Sequence, residues 1–108
     1  MHIGLGVVDL REGNRQLAYQ RFDRALAIST VPIDALYDIA DFSLSHGLAK
    51  EVTPYARQLV AASTAAIAQD PGRPNFYEYR ALAYSVLGNT AMADADRESA
   101  DSLRGWWQ

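Results

Sequence analysis

Three glycines divide this chain at near-regular intervals. Each has a small residue seven positions earlier: Gly6 before Gly13, Ala40 before Gly47 and Ala81 before Gly88. Gly13 and Gly47 are 34 residues apart, and Gly47 and Gly88 are 41 apart, the same interval with seven residues added. Glycine suits the left-handed position that closes a helix, and a small residue two turns back lets a neighbouring helix approach closely. The stretch 80–100, RALAYSVLGNTAMADADRESA, shows the pattern most fully: Ala81, Ala93 and Ala100 recur at helical spacing, and Gly88-Asn89 cuts it in two. Near the start, Leu5, Gly6, Gly13, Ala18, Phe22, Ala25 and Leu26 follow in the same order. The chain therefore reads as three helical hairpins.

Apolar periodicity and cap signals place helices over 3–12, 15–28, 35–46, 54–69, 75–87 and 90–103. Asn14 is a fitting N-cap for the second and Asp34 for the third, with 29–33 around Pro32 as the connection. Thr53-Pro54 reads as N-cap and first residue of the fourth helix, which locates the insertion at 48–52 as a loop or short helical turn. One long helix kinked at Pro54 is the alternative. Asp70-Pro71-Gly72-Arg73-Pro74 is the clearest break in the sequence.

At 108 residues there is room for one domain, and with 49% apolar and 21% charged residues the chain can fill a core. The net charge is −3 and the basic residues are scattered among acids, so no positive surface for nucleic acid is expected. Absence of cysteine excludes disulfides, thiolate metal sites and thiol catalysis, and fits a cytoplasmic protein. No apolar run approaches the roughly 20 residues that span a bilayer, and the opening MHIGLGVVDL lacks the basic start of a signal sequence, so no membrane role is expected.

Asp34, Asp38 and Asp41 lie at i, i+4 and i+7, so three carboxylates share one helix face. A hard cation wants more oxygens than one helix presents, and no calcium loop is present. His46 just before Gly47 fits a helix C-terminus better than a catalytic role. No serine, histidine and acid stand at a recognisable spacing, and the glycines are spaced as corners rather than as a phosphate cradle. The expectation is a protein that is not an enzyme, with no metal and no cofactor.

A 34-residue helix-turn-helix period with Leu87-Gly88, Ala18-x3-Phe22 and a late proline resembles the tetratricopeptide repeat family. The resemblance implies an all-α solenoid of three antiparallel helix pairs, about 1–31, 34–71 and 74–105, in a right-handed superhelix. It also implies a concave groove lined by the first helix of each repeat. Carried over through the corner glycines, that groove takes Ile3, Val7, Leu10 and Arg11 from the first repeat. The second supplies Asp34, Tyr37, Asp41, Leu44 and Ser45, with Asp38 at the margin, and the third supplies Asn75, Glu78, Leu82, Ser85 and Val86.

The lysine, asparagine and arginine that grip a terminal carboxylate in some members are missing from these positions. An apolar strip beside aspartates favours instead a peptide or helix with apolar and basic residues. The other reading is that Ile3, Val7 and Leu10 are covered by a second copy or an upstream repeat. Three repeats stand near the lower limit of stability, so self-association or membership of a longer array is also expected. Trp106 and Trp107 would either cap the last hairpin or insert into a partner. Asp9 and Arg80 stand where the family usually has an aromatic and a leucine.

Overall fold

In the computed structural model, residues 2–105 are described, His2 by its backbone alone. Six α-helices follow one another: α1 (His2–Arg11), α2 (Arg15–Ile28), α3 (Pro32–Ser45), α4 (Thr53–Gln69), α5 (Pro74–Val86) and α6 (Thr90–Gly105). A 3₁₀ turn, Ala49–Val52, precedes α4, and there is no strand among the described residues. No helix among them is long and apolar enough to cross a membrane.

The three corners close in the same way. Gly13, Gly47 and Gly88 have φ of 81°, 72° and 79°, and no other described residue has a positive φ. At each, the glycine N–H donates to a carbonyl three residues back and the next N–H to one five back. The pairs are Gly13 to Leu10 and Asn14 to Asp9, Gly47 to Leu44 and Leu48 to Ser43, and Gly88 to Ser85 and Asn89 to Tyr84, at 2.8–3.1 Å. Gly6, Ala40 and Ala81 are all buried. At Gly6 the reason is contact: an added Cβ would stand 2.5 Å from Cε1 of Phe22.

Helix starts divide into two kinds. Asn14 and Asn89 cap α2 and α6, their side chains accepting from Leu17 and Met92 N–H at 3.3 Å. Helices α3, α4 and α5 begin without a side-chain cap and carry proline in the first turn. Asp34 is thus not the N-cap of α3. Pro32, whose ring fixes a helical φ and which has no N–H to satisfy, starts the helix three residues earlier than expected, with Val31 in the cap position. Asp34 sits in the first turn, where a carboxylate suits the helix dipole. Thr53 is likewise helical (φ −48°, ψ −46°) and donates through Oγ1 to the Lys50 carbonyl at 3.1 Å.

The seven added residues do not all lie at 48–52. Helix α4 begins six residues after Gly47, whereas α2 and α6 begin two after their glycines. A further four lie in α4 and the turn after it, since 21 residues separate the starts of α4 and α5 against 17 for α2 and α3. The approach of α5 to Gly88 is one residue shorter than that of α3 to Gly47.

The core runs through α1–α5 and holds Val7, Phe22, Leu36, Ile39, Val52, Tyr55 and Leu59, each at most 5% exposed. Side chains on one stripe of α2 reach the segment 51–55. Arg15 pairs with the Glu51 carboxylate at 2.6 Å, and the Tyr19 hydroxyl donates to the Glu51 carbonyl at 2.6 Å. Asp23 accepts from the Tyr55 hydroxyl at 2.7 Å. Tyr55 meets Tyr19 and Phe22 edge-on, with centroids 5.1 and 5.3 Å apart, the favoured aromatic geometry. Burial and the Asp23 carboxylate hold the Tyr55 hydroxyl well above its ordinary pKa.

Asp9 and Arg80 are each paired within their own hairpins. Arg21 of α2 reaches Asp9 of α1 at 2.6 Å. Arg80 of α5 grips Asp96 of α6 through two prongs of 2.8 and 2.7 Å. At the place in α3 that corresponds to Asp9, four residues before the corner, Ser43 is fully buried and its hydroxyl makes no hydrogen bond among the described residues.

Candidate functional site

The residues anticipated for one groove separate into three groups. Ile3, Val7 and Leu10, the expected apolar strip of α1, are 7%, 2% and 6% exposed and belong to the core of this chain, as does Val86 at 6%. They need no second copy or upstream helix to cover them, and they offer a partner almost no surface. The physical cause is their spacing: positions 3, 7 and 10 form one stripe, and α1 lies against both α2 and α3. The apolar side chains that α1 does expose are Leu5 and Val8, 49% and 47% accessible. Arg11 is exposed at the end of α1.

The second group is the open face of α3. Asp34, Tyr37, Asp41 and Leu44 sit at spacings of three and four, so they share one side, with Asp38 and Ser45 beside them. All three aspartates are exposed and Tyr37 is half-buried. Leu44, 38% exposed, borders a shallow hollow of about 400 Å³ above the 3₁₀ turn. The Tyr37 ring packs on the Tyr79 ring of α5, centroids 4.6 Å apart and planes tilted by 34°. The Tyr79 hydroxyl donates to Asp34 Oδ1 at 3.0 Å, and Phe76 meets the Tyr79 ring edge-on at 6.4 Å.

This face is electrostatically negative. Partial burial and the neighbouring Asp34 and Asp41 hold Asp38 above the usual carboxylate range. Burial and the nearby carboxylates raise the Tyr37 hydroxyl as well. Burial together with the hydrogen bond to Asp34 pushes Tyr79 up to about 12. The ion pairs formed among the described residues involve Asp9, Glu51, Asp70, Asp94, Asp96, Glu78 and Asp101, and none involves Asp34, Asp38 or Asp41.

The third group belongs to α5. Glu78 pairs with Arg104 of α6, so its charge is balanced inside the chain and it adds little to the acidic strip. Ser85 accepts from Arg97 at 2.8 Å, Leu82 is half-buried, and Asn75 is exposed at the helix start. Tyr37, Glu78, Leu82, Arg97, Asp101 and Arg104 border a cleft of about 310 Å³ between α5 and α6. Trp106 and Trp107 lie outside the described residues.

Sequence reasoning passed over Tyr79, Phe76, Arg97 and Arg104. Tyr79 stands one position after Glu78, and that single step carries its ring toward Tyr37 rather than toward α6. A tyrosine on each of two first helices in nearly the same register, ten and nine residues before Gly47 and Gly88, was the available signal. No three histidine or carboxylate side chains gather closely enough to hold a metal ion among the described residues.

No protein-family model matches this chain, and comparison with curated proteins gives no match.

Proposed function

We propose that this chain is a non-catalytic protein-interaction module of the tetratricopeptide kind, three antiparallel helix pairs stacked in a short right-handed superhelix. In this reading α1, α3 and α5 line the inner side, and the docking face is the part formed by α3 and α5. What carries the proposal is the pairing of Tyr37 with Tyr79 beside three aspartates that no cation of the described chain neutralises. An uncompensated acidic strip next to aromatic surface suits a protein segment that brings apolar and basic side chains. The identical corners at Gly13, Gly47 and Gly88, and the buried small residue seven positions before each, support the architecture. A cysteine-free chain suits a reducing compartment, and we place the module in the cytoplasm.

The experiment is a pull-down with the wild-type chain, Tyr37→Ala and Asp41→Lys, with folding checked by circular dichroism. Loss of the same bound proteins by both variants supports the docking face; retention by both refutes it.

A second reading has its own observation. Leu5 and Val8 leave an apolar patch on the outer side of α1, which a second copy could cover. Light scattering over a range of concentrations tests it, and a monomer throughout removes self-assembly as the purpose of the chain.

A further inference from the structure

Resting on that reading of the α3–α5 face, we propose that Tyr37 and Tyr79, with the carboxylates of α3, seat an arginine side chain of the partner.

Three observations converge on a planar organic cation. The tyrosine rings form a tilted pair at 4.6 Å on a partly open face, and the ring of a tyrosine attracts cations over its surface. The Tyr79 hydroxyl is already engaged with Asp34, which fixes its ring before any ligand arrives. Asp34, Asp38 and Asp41 rise along one helix at successive turns, and the arginines of the chain nearest this face are committed elsewhere: Arg97 to Ser85 and Asp94, Arg104 to Glu78. Burial and the neighbouring Asp34 and Asp41 raise the Asp38 carboxyl.

The same geometry selects among cations. Carboxylates strung along a helix do not converge on a point, which disfavours a metal ion. An ammonium is compact, strongly hydrated and a single point of charge. A guanidinium is flat and weakly hydrated, stacks on aromatic faces, and directs donors to two carboxylates at once. Arginine therefore meets both the rings and the acids, and lysine only one of them well.

The probe is a displayed library of random twelve-residue peptides panned against the full chain, with enriched peptides synthesised and their affinities measured by calorimetry. Each is compared with versions carrying citrulline or lysine in place of arginine, on wild type, Tyr37→Ala and the surface variant Asp38→Asn. The proposal expects arginine in the enriched set, about tenfold weaker binding with citrulline, and a smaller citrulline penalty on Asp38→Asn. Peptides that lose binding on Tyr37→Ala yet bind equally well with citrulline overturn the arginine seat and leave the docking face standing. If no enriched peptide responds to Tyr37→Ala or Asp38→Asn, both the seat and the docking face fall.

Discussion

Gly6 of α1 lies against the ring of Phe22 of α2, so closely that a single added methyl carbon would stand 2.5 Å from Cε1 and 3.0 Å from Cδ1. Phe22 is fully buried, and its ring has no room to retreat. The first hairpin is thereby held together by the absence of a side chain.

Gly6→Ala is expected to destabilise the protein by about 1–3 kcal/mol through overpacking, despite the better helix propensity of alanine. Gly4→Ala provides the control, since nothing lies within 4 Å of its added carbon. There the propensity gain of about 0.5–1 kcal/mol should appear undiminished. Urea unfolding of the two variants would give shifts of opposite sign; equal signs would contradict the contact.

The corner glycines respond to a different cause. Space is open around Gly13, Gly47 and Gly88, but each has a left-handed backbone. Alanine there should cost about 1–2 kcal/mol from backbone strain alone, and asparagine less. Thermal melts of the three alanine variants should fall within a narrow band, and a corner that accepts alanine without loss would show that it is not closed as described.

Arg80 and Asp96 are 18% and 5% exposed in their side chains, so this ion pair is well shielded from water. Removing one partner strands the other charge, and Asp96→Ala should cost about 3 kcal/mol. Changing Arg80 and Asp96 together to leucine should cost less than the two single changes added, because no charge is then left unpaired. A strictly additive double-mutant cycle, read from denaturant midpoints, would dismiss the pair as a coupled unit.

Stability should also depend on alkaline pH in a defined sense. Tyr79 is raised from 10 to about 12 by burial and by Asp34, so the folded chain keeps a proton there that the unfolded chain releases. Its contribution is complete below pH 10 and is lost as the pH rises through 12. Tyr79→Phe should make the stability profile shallower over that window, the raised Tyr55 hydroxyl supplying the dependence that remains. Asp38 acts at the other end of the scale: its carboxyl is raised, so its ionised form opposes folding above the usual carboxylate range, and that opposition is relieved in acid. Asp38→Asn should stabilise at neutral pH and make no difference near pH 3.

Much of this architecture is legible because glycine and asparagine announce corners by backbone chemistry alone. The Gly13-Asn14 and Gly88-Asn89 junctions fall where the sequence puts them, and α2 has the expected bounds. Where the sequence misleads, a competing local rule is at work. Pro32 overrode Asp34 as the start of α3, and Thr53 was drawn into α4 because the 3₁₀ turn before it already supplied helical geometry. The site was harder to read. Ile3, Val7 and Leu10 have the spacing of a stripe, which says that they face something apolar but not whether that is a partner or α2 and α3. The contact of Tyr37 with Tyr79 joins positions 42 apart in the sequence and depends on how two helices are set against each other. The sequence shows that each tyrosine holds nearly the same place before its corner, and not that the two rings meet.

Arg15, Tyr19 and Asp23 stand one turn apart on α2, and all three find their partners between Glu51 and Tyr55. The 3₁₀ turn and the first turn of α4 thus work as a hasp that fastens the front of the molecule to its middle. Excising 48–51 would take away Glu51 and with it the partner of both Arg15 and Tyr19, and residues 1–31 transplanted alone would leave that row of side chains with nothing to hold.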